Sequence, residues 1–187
     1  MMKKLTRNDT SFENAPEGTH SAIIITVADL GLQSSKFDPD GKEQIGIVYE
    51  LTAETRSDGS RMTAHETYTA ILNEKAKLFG VIAAALGKVP KELDTADVLG
   101  KVVTVTIVHR QDAQGRTWAN VESVGGLPAA AKKDVTTDTP LQVFDLDDPD
   151  PAVYQKLPRL FKKKIEERIR REAGDEGPAE KPEKLPW

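Results

Sequence analysis

No cysteine occurs among the 187 residues, which excludes disulfides, thiolate nucleophiles and cysteine-based zinc sites. A chain without thiols is compatible with a reducing compartment. No run approaches the roughly 18 apolar residues that read as a membrane span. Met1 to Arg7 leads into polar residues without the apolar core of a signal peptide, so the chain reads as cytoplasmic and free of membrane. The three histidines, His20, His65 and His109, fall on three different strand candidates with no ligand spacing. Asp147, Asp148 and Asp150 are interrupted by proline and read as a solvated acidic run. With no internal repeat, no metal or cofactor set and no constellation of carboxylate or histidine suited to a nuclease, the chain reads as non-enzymatic. The apolar fraction of 38% is low, and the length suits one domain with appendages.

An excess of positive charge is also missing. The formal net charge is −4. Residues 1–128 carry 14 Lys/Arg against 17 Asp/Glu, whereas residues 156–171 carry 8 against 2. Any attraction to a polyanion therefore has to come from a local patch or from that late basic segment.

What is present is period-two alternation. Apolar alternation fills Gly18 to Ala28, Gln44 to Ala53 and Met62 to Leu72; a helical segment, Asn73 to Leu86, follows, and then Lys101 to Arg110 and Arg116 to Val124. Ala22-Ile23-Ile24-Ile25 is apolar on both faces, as in a curled strand covered on its outer side. Tyr49 lies in the apolar phase of its strand, and the phase of Tyr68 is undecided. Asp38-Pro39-Asp40-Gly41 predicts a sizeable first loop over Ser34 to Lys42. Ser57-Asp58-Gly59 predicts a hairpin. Asn73 is the expected helix N-cap, with Leu78, Val81, Ile82 and Ala85 on one stripe. Three strands, a helix, then two strands is the connectivity of a five-stranded OB-fold barrel, a mainly β architecture used for oligonucleotides and oligosaccharides.

The expected organisation is a loose arm over 1–17, a barrel over 18–128, a linker over 129–140, an acidic segment with a basic amphipathic helix over 141–173, and a flexible tail over 174–187. In the helix, Leu160, Phe161, Ile165 and Ile169 share one side while Lys162, Lys163, Lys164, Arg168, Arg170 and Arg171 occupy the rest. That pattern argues for packing on the barrel or a partner more than for direct DNA contact.

Several of these pieces resemble the phage- and prophage-encoded single-stranded DNA-binding proteins of OB fold. They are Pro16-Glu17-Gly18, Leu78 to Leu86 followed by Val98-Leu99-Gly100-Lys101, Gly115-Arg116-Thr117-Trp118-Ala119-Asn120, Phe144-Asp145-Leu146-Asp147 and Leu157-Pro158. The likeness covers about residues 15–170. It implies sequence-independent binding of single-stranded DNA in phage replication or recombination, inside a bacterial host. The last residues, Leu185-Pro186-Trp187, are similar to the aliphatic-proline-aromatic tip by which bacterial single-stranded DNA-binding proteins recruit replication or recombination partners. Lys181 and Lys184 depart from the acidic approach to that tip.

An unpaired strand needs flat faces for its bases and cations for its phosphates. Trp118 is the leading stacking candidate, with Arg116 beside it and Arg110 opposite; the competing reading has its ring covered by the post-barrel segment. Phe37, with Lys36 and Lys42, is the second. Arg56 and Arg61 flank the second hairpin. The rival function is an OB-scaffold adaptor that meets protein rather than DNA, a reading favoured by the mild acidity of the barrel. Self-association is left open.

Overall fold

The apolar run Ala22 to Leu30 is buried on both faces of its strand, and the fold is arranged around that fact. A computed structural model describes residues 13–174. Its order is β1 (Gly18–Ser35), β2 (Asp38–Thr55), β3 (Arg61–Thr69), α1 (Lys77–Leu86), a 3-10 turn (Thr95–Val98), β4 (Val102–Gln111), β5 (Thr117–Gly126), α2 (Ala129–Lys132), β6 (Gln142–Phe144), α3 (Pro151–Lys156) and α4 (Arg159–Glu172). The chain is mainly β. The strands lie in the order β3-β2-β1-β4-β5, all antiparallel, and β6 pairs parallel to β1 at Thr26 to Ala28, beyond the end of β4 on the same edge. β3 and β5 approach each other, with Cα atoms within 8 Å, yet no ladder joins them among the described residues.

Because side chains alternate across a strand, β1 feeds two cores. Ala22, Ile24 and Val27 join Ile47, Tyr49 and Leu51 of β2, Val103 and Val105 of β4 and the Leu78, Val81 and Ile82 stripe of α1. Ile23, Ile25, Ala28 and Leu30 face the other way with Val48 and are covered by Phe144, Tyr154, Leu157, Phe161 and Ile165. In the first core the hydroxyls of Tyr49 and Tyr68 share a 2.8 Å hydrogen bond. Burial pushes both phenols above their ordinary range. The undecided phase of Tyr68 is thereby resolved inward.

α4 seats on the sheet through one close approach. The Phe161 ring lies directly on the backbone of Gly46, where a Cβ would come within 2.5 Å of ring atoms, and the His65 ring meets it in a T-shaped contact at a centroid distance of 5.5 Å and an angle of 85°. Burial lowers the His65 pKa, since the imidazolium would lose its water there. A second attachment is polar. Glu50, buried on the same face, accepts hydrogen bonds from the hydroxyls of Thr137 (2.6 Å) and Thr139 and lies 3.4 Å from Arg61.

Several expectations are corrected. The linker predicted over 129–140 begins with α2 and then binds the sheet through Thr137 and Thr139. The predicted loose arm is packed over residues 13–17: Ala15 is buried in the first core, Glu13 accepts from the Ser57 amide (3.0 Å) and hydroxyl, and the Asn14 amide donates to the Thr117 carbonyl (2.8 Å). These residues thus cross from the β2–β3 turn to β5. The sizeable first loop is instead a two-residue turn, Lys36-Phe37, with Asp38 to Gly41 inside β2. Gly41 makes this work, because it adopts φ +75° at a bulge where a Cβ would come within 2.9 Å of the Gln33 carbonyl. Asn73 does not cap α1. Its side chain accepts from the Lys75 amide (2.9 Å) in a local turn, and the helix starts after Ala76 without a side-chain cap.

The seating of α4 makes a direct prediction. Phe161→Ala should cost about 3–5 kcal/mol by emptying a fully buried site, and Gly46→Ala about 1–3 kcal/mol by overpacking, both read from denaturant unfolding. In the Phe161→Ala background, Gly46→Ala should cost much less, since the ring it strikes is gone. Additive costs would show that Gly46 and Phe161 are not in contact.

Candidate nucleic-acid interface

The β4–β5 hairpin is organised by one carboxylate. Asp112 opens a turn closed by the Asp112 amide on the Arg116 carbonyl (3.0 Å) and the Gly115 amide on the Asp112 carbonyl (2.9 Å). Its Oδ1 accepts from the amides of Gln114 and Arg116 (2.9 Å each). Its Oδ2 accepts from Arg116 Nε (2.7 Å) and from the indole Nε1–H of Trp118 (3.0 Å). The Arg116 guanidinium also lies 5.5 Å from the Trp118 ring centroid, in cation–π range. With the indole donation as the largest cause, aided by Arg116, the Asp112 pKa falls to about 2.

Trp118 is therefore held at its edge while remaining 42% exposed. Arg110 lies directly opposite Trp118 in the ladder, and its Nη2 sits 2.6 Å from Glu122. Trp118, Arg110 and Arg116 thus form one cluster, as the sequence suggested. The sequence reading missed Asp112 and Glu122, the carboxylates that hold both arginines. An Asp three residues before a turn Gly was a usable signal for the first; only the β4–β5 register brings Glu122 to Arg110.

The other candidates lie elsewhere. Phe37 projects from the β1–β2 turn and is 94% exposed; Lys36 adjoins it, and Lys42 pairs with Asp38 at 3.4 Å. The turn is tied by the amides of Phe37 and Asp38 on the Ser35 hydroxyl (3.3 and 3.2 Å). Gly18 at the start of β1 pairs with Ile107, whereas Ser35 ends β1, so the Phe37 and Trp118 hairpins sit at opposite ends of that strand. Arg56 and Arg61, expected to reach phosphates, are used by the fold. Arg56 donates to the Arg61 carbonyl (2.6 Å), and Arg61 binds the Thr136 carbonyl (3.0 Å) and Glu50. A turn that must anchor the covering segment spends its guanidinium groups on carbonyls and a buried carboxylate. Leu185, Pro186 and Trp187 lie outside the described residues.

No protein-family model matches the sequence, and no curated protein matches it significantly.

Asp112 yields a pH test. Its folded pKa lies below its ordinary value, so its hold on the hairpin is complete above about pH 4 and is lost as the pH falls through about 2. In nuclear magnetic resonance, the indole N–H signal of Trp118 should titrate with a midpoint near 2 and should lose that step in Asp112→Asn. A midpoint near 4 would mean that the indole does not hold the carboxylate.

Proposed function

We propose that this chain is a non-enzymatic, largely sequence-independent single-stranded DNA-binding protein built on an OB-type barrel. The carrying observation is the pairing of the β3-β2-β1-β4-β5 order, with α1 between β3 and β4, with a half-exposed Trp118 between two arginines at the β4–β5 hairpin. In this reading the approaching edges of β3 and β5 complete the barrel. OB folds hold their ligands on the face of strands 2 and 3 and on the loops joining strands 1–2 and 4–5. Here Phe161 and its helix cover the outer side of β2 and β3 at Gly46 and His65, so the contacts pass to the two hairpins. Stacking on Trp118 tolerates any base, because every base has a π face.

A second reading, a protein-interaction adaptor on the same scaffold, is favoured by one observation. Arg110 and Arg116 each already have a carboxylate partner, which a phosphate would have to displace. Both pairs are exposed on the arginine side, where ion pairs are worth little, about 0–1 kcal/mol. Exchange for a phosphate is therefore within reach.

A fluorescence titration with unstructured oligonucleotides and with duplex at two salt concentrations separates the readings. Single strands should bind much better than duplex, and more weakly as salt rises. Binding to neither would leave the adaptor. Trp118→Ala should weaken binding by about 1–3 kcal/mol, the value of one stacked base, with the melting temperature nearly unchanged. Arg110→Ala and Arg116→Ala should each reduce the salt slope. A large loss of stability on Trp118→Ala would make the ring structural.

A further inference from the structure

α4 is basic in an otherwise mildly acidic protein, and its docking settles which of its cations remain for another molecule. Phe161 and Ile165 are fully buried against the sheet. The helix is tied to the β1–β2 hairpin: the Gln33 side-chain amide donates to the Lys164 carbonyl (3.2 Å), and Arg171 donates to the Leu32 carbonyl (3.3 Å) and to the Ser34 hydroxyl. Arg168 lies across Gly31, where a Cβ would meet its guanidinium at 2.4 Å. Those contacts use Arg168 and Arg171 as anchors.

Arg159, Lys163 and Arg170 are placed differently. At 100° per residue they fall within about 20° of the line opposite Phe161; Arg159 and Lys163 are exposed there, whereas Arg170 is half-buried, with its Nε enclosed and without a hydrogen-bond partner among the described residues. Lys163 pairs with Glu167 at 3.7 Å, its side chain 68% exposed. Among the described residues, Arg159 and Arg170 have no carboxylate within 4 Å: Glu166 is held by the Tyr154 hydroxyl (2.9 Å) and Glu172 by Arg168 (2.9 Å). At the β4–β5 hairpin, by contrast, a phosphate must first displace Asp112 or Glu122. The row ends beside the hairpin whose tip carries Lys36 and the 94% exposed Phe37.

We infer that the outer row of α4 and the β1–β2 hairpin form a second contact for single-stranded nucleic acid, at the opposite end of β1 from Trp118. Arg159, Lys163 and Lys36 meet phosphates, and Phe37 stacks on a base. This rests on the single-strand reading above and assigns it a surface built from residues more than a hundred positions apart. The helix acts by charge on its exposed side while its apolar side keeps it seated.

The test uses the full chain and a labelled oligothymidylate, titrated over a range of salt. Arg159→Gln combined with Lys163→Gln, both on exposed side chains, should lower the slope of log affinity against log salt by about 1.4, at roughly 0.7 per phosphate contact on a single strand. Phe37→Ala should weaken binding about 5- to 150-fold, the range of one lost stack, with the slope unchanged. Melting temperatures should not move in either variant, since the altered side chains lie outside both cores. If the unaltered protein binds but both variants match it, the second contact is overturned while the single-strand reading stands. Failure of the unaltered protein to bind removes that reading and this one together. If the double variant keeps its oligonucleotide affinity but loses binding to anionic phospholipid vesicles, the row belongs to a membrane surface and the inference is wrong.

Discussion

The burial of β1 on both faces is the constraint from which the rest of the structure follows. A central strand with one apolar face needs one covering layer; Ile23, Ile25 and Leu30 point away from the first core and need a second. Burying one such side chain is worth about 1.5–3 kcal/mol. The segment after the sheet supplies the cover, with Phe144 from β6, Tyr154 from α3, and Phe161 and Ile165 from α4. It is consequently an integral layer of the fold. Its removal would expose a contiguous apolar face on β1 and β2 and leave the Glu50 carboxylate without its threonine donors.

This layer also decides where a ligand can be met. A helix ring pressed on the Gly46 backbone leaves no depth for a base on the middle of β2. The chemistry open to solvent is displaced to the strand ends, where hairpin turns carry aromatic and cationic side chains on short, internally bonded loops. At the β4–β5 end the geometry is preorganised: Asp112 takes four hydrogen bonds and fixes the indole edge. At the β1–β2 end the aromatic is held only through its backbone, by Ser35. Two hairpins held in unlike ways thus frame a single long strand, and the basic helix is bonded to one of them.

Residue patterning by itself determined the order of elements, because a period of two or three to four residues is a local property that burial on one face imposes. The five principal strands, α1, α4, the Trp118–Arg116–Arg110 cluster and the covered outer side of Ala22 to Ile25 were all legible in this way. Tertiary structure alone decided the rest, for reasons of distance and competition. Arg56 and Arg61 look like free cations in sequence, and only a carboxylate 11 residues from Arg61 and a carbonyl 75 residues away commit the latter. Thr137 and Thr139 sit in a stretch with the composition of a linker, and it is Glu50 that orders them. Gly46 looks like any glycine in a strand until Phe161, 115 positions later, lies on it. Local sequence encodes what a segment buries, but which partner satisfies a charge or fills a slot is set by contacts that exist only once the two cores have closed on β1.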